Sequence, residues 1–290
     1  MSNLSNQQGR ALEYVIVQVL QNHLPQVNLT LTALTIQKKD ELHYRELKKD
    51  LQISFSRCAE KIYEWLENEF TLSKYYNQIS IDRFTDRHGT KGVVADIQIE
   101  LKKLKNINLS IKHHHNAVKH HRPARTAGQC GYNKNSEQDI TFRHQYKSIT
   151  NNFIFNIDGC NEFKKLDDTT KLELLYEPIC KLVSSFINIH CQTSDKAELL
   201  LKFLIGNTNY YKFIYMSNKK QIIIQNFENL SSITSVKAES ENQYVILTFS
   251  NNWIIKMRLH NAATIIRKNP DVKFDAKPDN IDVPEVILSM

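Results

Sequence analysis

The chain has 290 residues, 41% of them hydrophobic and 24% charged, with a formal net charge of +7. These are the proportions of an ordinary folded protein with enough length to bury a full core. No stretch approaches the ~18 uninterrupted apolar residues of a membrane span. The opening Met1–Arg10 lacks the charged-then-apolar order of a secretory signal, so the expectation is a cytoplasmic protein without a membrane anchor. Five widely spaced cysteines with no CxxC pair predict reduced thiols rather than a disulfide framework or a structural zinc site.

In chain order, Gln7 to Leu24 predicts a helix. Leu12, Val15, Ile16, Val19 and Leu20 recur at helical spacing, Glu13 lies one residue off that stripe, and Pro25 ends the run. A second helical region runs from about Lys38 to Phe70, with Asp40-Glu41-Leu42 near its start and a break near Ile53-Ser54-Phe55. A strand at Ile79-Ser80-Ile81 and a turn at Arg87-His88-Gly89 lead into two adjacent β-branched strands, Val93 to Ile99 and Ile107 to Lys112. Two further helices are expected at Thr169 to Ile189 and Asp195 to Ile205. Tyr211 to Tyr215, Gln221 to Gln225, Ile233 to Val236, Tyr244 to Phe249 and Trp253 to Leu259 read as consecutive strands of an antiparallel lobe. Beyond about Pro270 an exposed tail is expected. The reading is an α/β (α+β) chain, with 1–205 as a core that carries the N-terminal helices and a basic segment. Residues 206–290 form a β-rich lobe and tail, separate or part of the same domain.

The chemistry concentrates around Asp96 and the run Ser110-Ile111-Lys112-His113-His114-His115. Strand alternation puts Ser110 and Lys112 on one face, within reach of an Asp96 on the neighbouring strand. A carboxylate to bind Mg²⁺ beside a lysine to orient or deprotonate water suits phosphodiester hydrolysis, and the pattern fits PD-(D/E)xK nucleases. Ser110 stands where an acidic ligand usually would. That leaves the metal to Asp96, the Ile111 carbonyl, waters and the phosphate, with Glu13 as a candidate for the missing charge or as a solvated helix residue. Glu100 shares the face of Asp96 further along the strand.

Between Leu101 and Ser136 there is no Asp or Glu, while Lys102, Lys103, Lys105, Lys112, Lys119, Arg122, Arg125 and Lys134 all carry positive charge. Such a focused excess suits a phosphate backbone. Within it, His113 is placed to assist water or leaving-group chemistry, and His115, Lys119 and His120 to contact DNA; a zinc set of His113, His115, His120 and Cys130 is the alternative. Arg258, His260 and Asn261 end a strand with side chains suited to base edges.

These residues resemble the HaeIII-type family of type II restriction endonucleases. The resemblance rests on Gln8-Gly9-Arg10-Ala11-Leu12-Glu13-Tyr14, on Asp96, on the run from Leu109 through Lys112, His113, Lys119 and His120 to Arg122, and on Trp253 through Arg258-Leu259-His260-Asn261-Ala262 with Lys273-Phe274-Asp275. It implies a PD-(D/E)xK core of mixed sheet flanked by helices, with the antiparallel β-rich lobe added at the C-terminal side. It also implies Mg²⁺-dependent cleavage of double-stranded DNA within GGCC, paired in function with a cognate DNA methyltransferase. Carried over by position, Asp96 is the metal ligand, Lys112 the catalytic lysine and Glu13 a supporting acid. A palindromic target suits a two-fold homodimer, and a GC-only target read through the major groove directs attention to Arg122, Arg125, Arg258, His260 and Asn261. A DNA-binding protein without catalysis and a nuclease with little sequence preference are the alternatives.

Overall fold

A computed structural model describes residues 4–84, 93–102, 104–114, 119–228 and 232–290. The turn expected at Arg87-His88-Gly89, together with Lys103 and His115, lies outside the described residues. Helix α1 (Leu4–His23) is followed by strand β1 (Asn28–Leu29) and helices α2 (Leu31–Arg45) and α3 (Lys49–Phe70). Strands β2 (Ile79–Arg83), β3 (Ile97–Leu101), β4 (Lys105–His113) and β5 (Lys119–His121) come next. Helix α4 (Glu137–Asn156) precedes a turn of α-helix and the π-helical turn Leu172–Tyr176 that lead into α5 (Glu177–His190), and α6 (Ser194–Ile205) follows. The remainder is β6 (Tyr211–Met216), β7 (Gln221–Asn226), β8 (Val236–Glu241), β9 (Tyr244–Phe249), β10 (Ile254–Asn261), β11 (Val272–Asn280) and β12 (Glu285–Ser289).

The chain forms two compact units. The first comprises Met1–Asn116, Asn207–Leu230 and Val283–Met290. Its seven-stranded sheet has the order β1-β2-β3-β4-β6-β7-β12. The pairs β1/β2 and β4/β6 are parallel and the others antiparallel, so the sheet is mixed. Helices α1 and α3 cover one face, where Leu12, Ile16, Leu20, Phe55, Ile62 and Leu66 meet Ile97, Ile99, Leu109 and Phe213 in one buried core. The predicted apolar stripe of α1 therefore points where the spacing placed it. The second unit comprises Ala117–Gly206 and Ser231–Asp282. Its five-stranded sheet, β5-β11-β10-β9-β8, is antiparallel throughout. Asn188 of α5 exchanges hydrogen bonds with the backbone of Ala238 (2.7 and 2.8 Å), which satisfies polar groups of the edge strand β8.

Several expectations need correction. The helical region after β1 breaks at Glu46–Lys48 and not near Ile53-Ser54-Phe55. The Gln52 carboxamide donates to the carbonyls of Tyr44 (3.1 Å) and Leu47 (3.0 Å), closing the open end of α2, while Phe55 is fully buried within α3. The first site strand starts at Ile97 rather than Val93. Helix α4 was not expected; its apolar inward positions are sparse, but Ser136 caps it by accepting from Asp139 N (3.3 Å). The strand expected at Ile233 to Val236 lies at Val236–Glu241. Residues 206–290 are shared between the two units, because β6 pairs in parallel with β4 and only β8 to β11 enter the antiparallel sheet. The segment beyond Pro270 is not a tail: β11 lies inside the second sheet, with Phe274 and Ala276 fully buried, and β12 closes an edge of the first.

Candidate active site

The end of β4 gathers opposite charges. Asp96 directly precedes β3, and its backbone N–H donates to the carbonyl of Leu109 (2.8 Å), which turns its side chain toward Ser110-Ile111-Lys112. One carboxylate oxygen, Oδ2, accepts from the Ile111 N–H (2.7 Å) and from Lys112 Nζ (3.2 Å), with Ser110 Oγ at 3.5 Å. A strand residue sends its N–H and C=O to the same edge, so the Ile111 carbonyl also leaves β4 on the side of Asp96. Lys112 and Asp96 keep partial access to solvent, with side chains 18% and 23% exposed. The ion pair is therefore half-buried, with both members reachable from solvent.

Glu13 arrives from α1 and is buried. Burial raises its pKa, the nearby Asp96 charge raises it further, and Arg83, Arg10 and Lys112 work in the opposite direction. Glu13 hence belongs to the Asp96 cluster and is not a solvated helix residue. Its orientation depends on Arg83, a fully buried guanidinium that bonds the Glu13 carboxylate, Gln37 Oε1 (2.7 Å) and Asp40 Oδ2 (2.9 Å). Arg83 was missed in the sequence, although alternation along Ile79, Ile81 and Arg83 puts it inward, where a charge needs partners.

A second missed residue is Lys212. It pairs in register with Ser110 across the parallel β4/β6 ladder, on the same sheet face as Lys112, and is 1% exposed. Burial first, and the Lys112 charge second, push its pKa down to about 7. His113 departs from the expected role. It leaves β4 on the face opposite Lys112 and packs edge-on against Phe55 (5.1 Å) and alongside Tyr215 (5.7 Å), which makes it part of the core. Glu100 sits at the far end of β3 and accepts from Ser80 Oγ (3.1 Å), away from the cluster.

By their chemistry, the oxygens of Asp96, Glu13 and the Ile111 carbonyl are donors of the kind a hard divalent cation takes, the rest of its shell being filled by water and phosphate. The ammonium of Lys112 already lies against Asp96, as expected where positive charge is favoured. Among the described residues, no group of three or more His, Cys, Asp or Glu is arranged to hold a metal. His113 and Cys130 of the alternative zinc set belong to different units.

The residues expected on DNA fall mostly in the second unit. His120 and His260 both approach the Asp275 carboxylate, His260 at 3.0 Å, and Arg258 stands across from Asp275 in register. Arg122 is engaged by Asp271 and by the Val272 carbonyl (3.2 Å), and the Asn261 carboxamide donates to Ala263 O (2.8 Å). Arg125 is exposed. Lys119 is the exception to an outward basic surface: its ammonium lies over the Phe203 ring, 4.0 Å from the centroid, and burial pulls its pKa down to about 8. In this position it packs against α6.

The model of the HaeIII restriction endonuclease family matches residues 9–235. The type II restriction enzyme HaeIII of Haemophilus aegyptius is 26% identical over an alignment covering 100% of this chain and 98% of the relative. An uncharacterized protein of Acanthamoeba polyphaga mimivirus is 22% identical, covering 82% of this chain and 84% of that protein. No solved structure matches. Among the described residues, no helix is long and apolar enough to cross a membrane. With DNA as its substrate and a divalent metal implied, the chain belongs to the HaeIII restriction endonuclease family and is a type II site-specific deoxyribonuclease.

Proposed function

We propose that this enzyme cleaves double-stranded DNA within the palindrome GGCC, using Mg²⁺ held by Asp96, Glu13 and the Ile111 carbonyl. The observation that carries the reading is the Lys112 ammonium 3.2 Å from Asp96, with Glu13 close enough for the Asp96 charge to shift its pKa. When bound, the cation supplies charge neutralisation at the scissile phosphate. Lys112 orients the attacking water and steadies negative charge developing on the phosphoryl oxygens. Asp96 fixes Lys112 and receives support from the Ile111 N–H and Ser110. Arg83 holds Glu13 facing the cluster, so a buried carboxylate stays available to the cation. The target GGCC is what the family resemblance of the run from Leu109 to Arg122 implies. It makes a two-fold homodimer acting on cytoplasmic DNA the matching arrangement, with protection of the host sites by a partner methyltransferase.

Incubating the purified chain with plasmid DNA, with and without Mg²⁺, tests the reading. Discrete fragments ending within GGCC only when Mg²⁺ is present are expected. Smears would remove the sequence assignment, and fragments in the presence of a chelator would remove the metal assignment.

A further inference from the structure

The second unit carries a cleft of about 500 Å³ whose basic lining the catalytic reading does not use. Three separate parts of the chain build it. The turn after β5 supplies Arg122 and Arg125, the loop between β10 and β11 supplies Arg267, Lys268 and Asp271, and α4 supplies Tyr146. Four cations thus surround one carboxylate. That carboxylate is committed, because Asp271 pairs with Arg122, whose guanidinium is also tied to the Val272 carbonyl at 3.2 Å. Arg125, Arg267 and Lys268 are exposed, and among the described residues none of the three has a carboxylate partner. Like charges crowded without counter-charge oppose folding and favour an anionic occupant.

We propose that this cleft binds phosphodiester groups of the DNA backbone as a contact that is independent of sequence. A guanine edge offers two major-groove acceptors, which one arginine fork satisfies. Three uncompensated cations exceed that need and match a run of phosphates, which guanidinium groups grip through paired N–H donors. Tyr146 also lines the cleft, its pKa pushed up to about 12 by burial and by Asp271, so it adds no negative charge beside the cations. The inference rests on the chain acting on DNA and does not depend on the target sequence or on the metal.

The test is binding of the Arg267→Ala/Lys268→Ala protein to a GGCC duplex and to an unrelated duplex, without divalent cation, across a salt series. Both substitutions lie on an exposed loop and leave the Arg122–Asp271 pair in place. The expected result is weaker binding to both duplexes alike, with the slope of log affinity on log salt reduced by about two, one per lost phosphate contact. A charge-retaining Arg267→Lys protein should keep the parental slope, which separates lost charge from a disturbed loop. Unchanged affinity and slope would overturn the proposal. So would a loss confined to the GGCC duplex, which would make the cleft a base reader. Failure of the Mg²⁺ and GGCC reading would appear in the plasmid assay instead, since cleavage is not the readout here.

Discussion

The two charged sites of this enzyme are built in opposite ways. At the end of β4, acids and bases are interleaved and largely removed from water: Asp96 meets Lys112, and Glu13 meets Arg83. Around the cleft of the second unit, arginines and a lysine collect at the surface with one committed carboxylate among them. The first arrangement suits chemistry, because fixed charges in a poorly solvated site act strongly on a developing charge without reorganising. The second suits adhesion, because exposed cations interact weakly one by one and gain affinity by displacing counterions together. Disturbing the first should therefore change rate, and disturbing the second should change affinity and its salt dependence.

The largest effect is expected from the Asp96→Asn and Lys112→Ala proteins. Single-turnover cleavage of a GGCC plasmid should fall by roughly a hundredfold to a thousandfold or more, the scale of losing one charge-stabilising group. DNA affinity should stay within roughly tenfold, since many phosphate contacts remain. Near-normal turnover in either protein would dissolve the contrast by moving catalysis elsewhere.

Lys212 sharpens the comparison from the side of stability. Its folded pKa of about 7 lies below the unfolded value of a lysine. The unfolded chain therefore binds more protons between about pH 7 and ~10.5, and fold stability rises with pH across that window. Below about pH 7 the buried ammonium imposes its full penalty. Replacing Lys212 by Met should stabilise the protein by up to a few kcal/mol at pH 6, with the advantage shrinking toward pH 10. Thermal melts of both proteins at several pH values measure this, and a difference that does not vary with pH would show that Lys212 is not charged against its surroundings.

The smallest effect is expected at Lys119. Its removal should leave the salt slope of DNA binding unchanged and change stability little at neutral pH, because the cation–π contact, worth about 0.5–2 kcal/mol, is opposed by the desolvation that lowers the lysine's pKa. A slope reduced by one unit would return Lys119 to the DNA backbone and blur the line between packing and binding lysines.

Much of the first unit was legible from local pattern. The stripe of α1, the strands around Asp96 and Lys112, and the basic excess after Leu101 are consequences of residue spacing, and spacing survives without tertiary knowledge. Helix α4 was hidden because few apolar residues mark its inward side, though Ser136 followed by Asp139 carried a capping signal. The tail expected after Pro270 misjudged Val272, Phe274 and Ala276, whose alternation with Lys273 and Asp275 is itself a strand signature. Residues close in space but distant in the chain were the hardest to foresee. The guanidinium of Arg83 reaches Glu13 across 70 positions of sequence, and no local pattern records such a pairing.

The sequence by itself determined the proposed reactive pair, the concentration of positive charge and the family, because these depend on residue identity and short spacing. Tertiary structure alone decided how these parts are shared out. The strands after Asn209 divide between two sheets because β6 joins β4 in parallel, leaving the intervening segment to build a second unit. It also decided where the charges sit: Arg83 bonds Glu13, Lys119 is turned onto Phe203, and Arg267 and Lys268 stand beside Arg125 without a carboxylate partner among the described residues. The energy of a charge depends on its burial and its neighbours, and both are properties of the packed fold rather than of the order of residues.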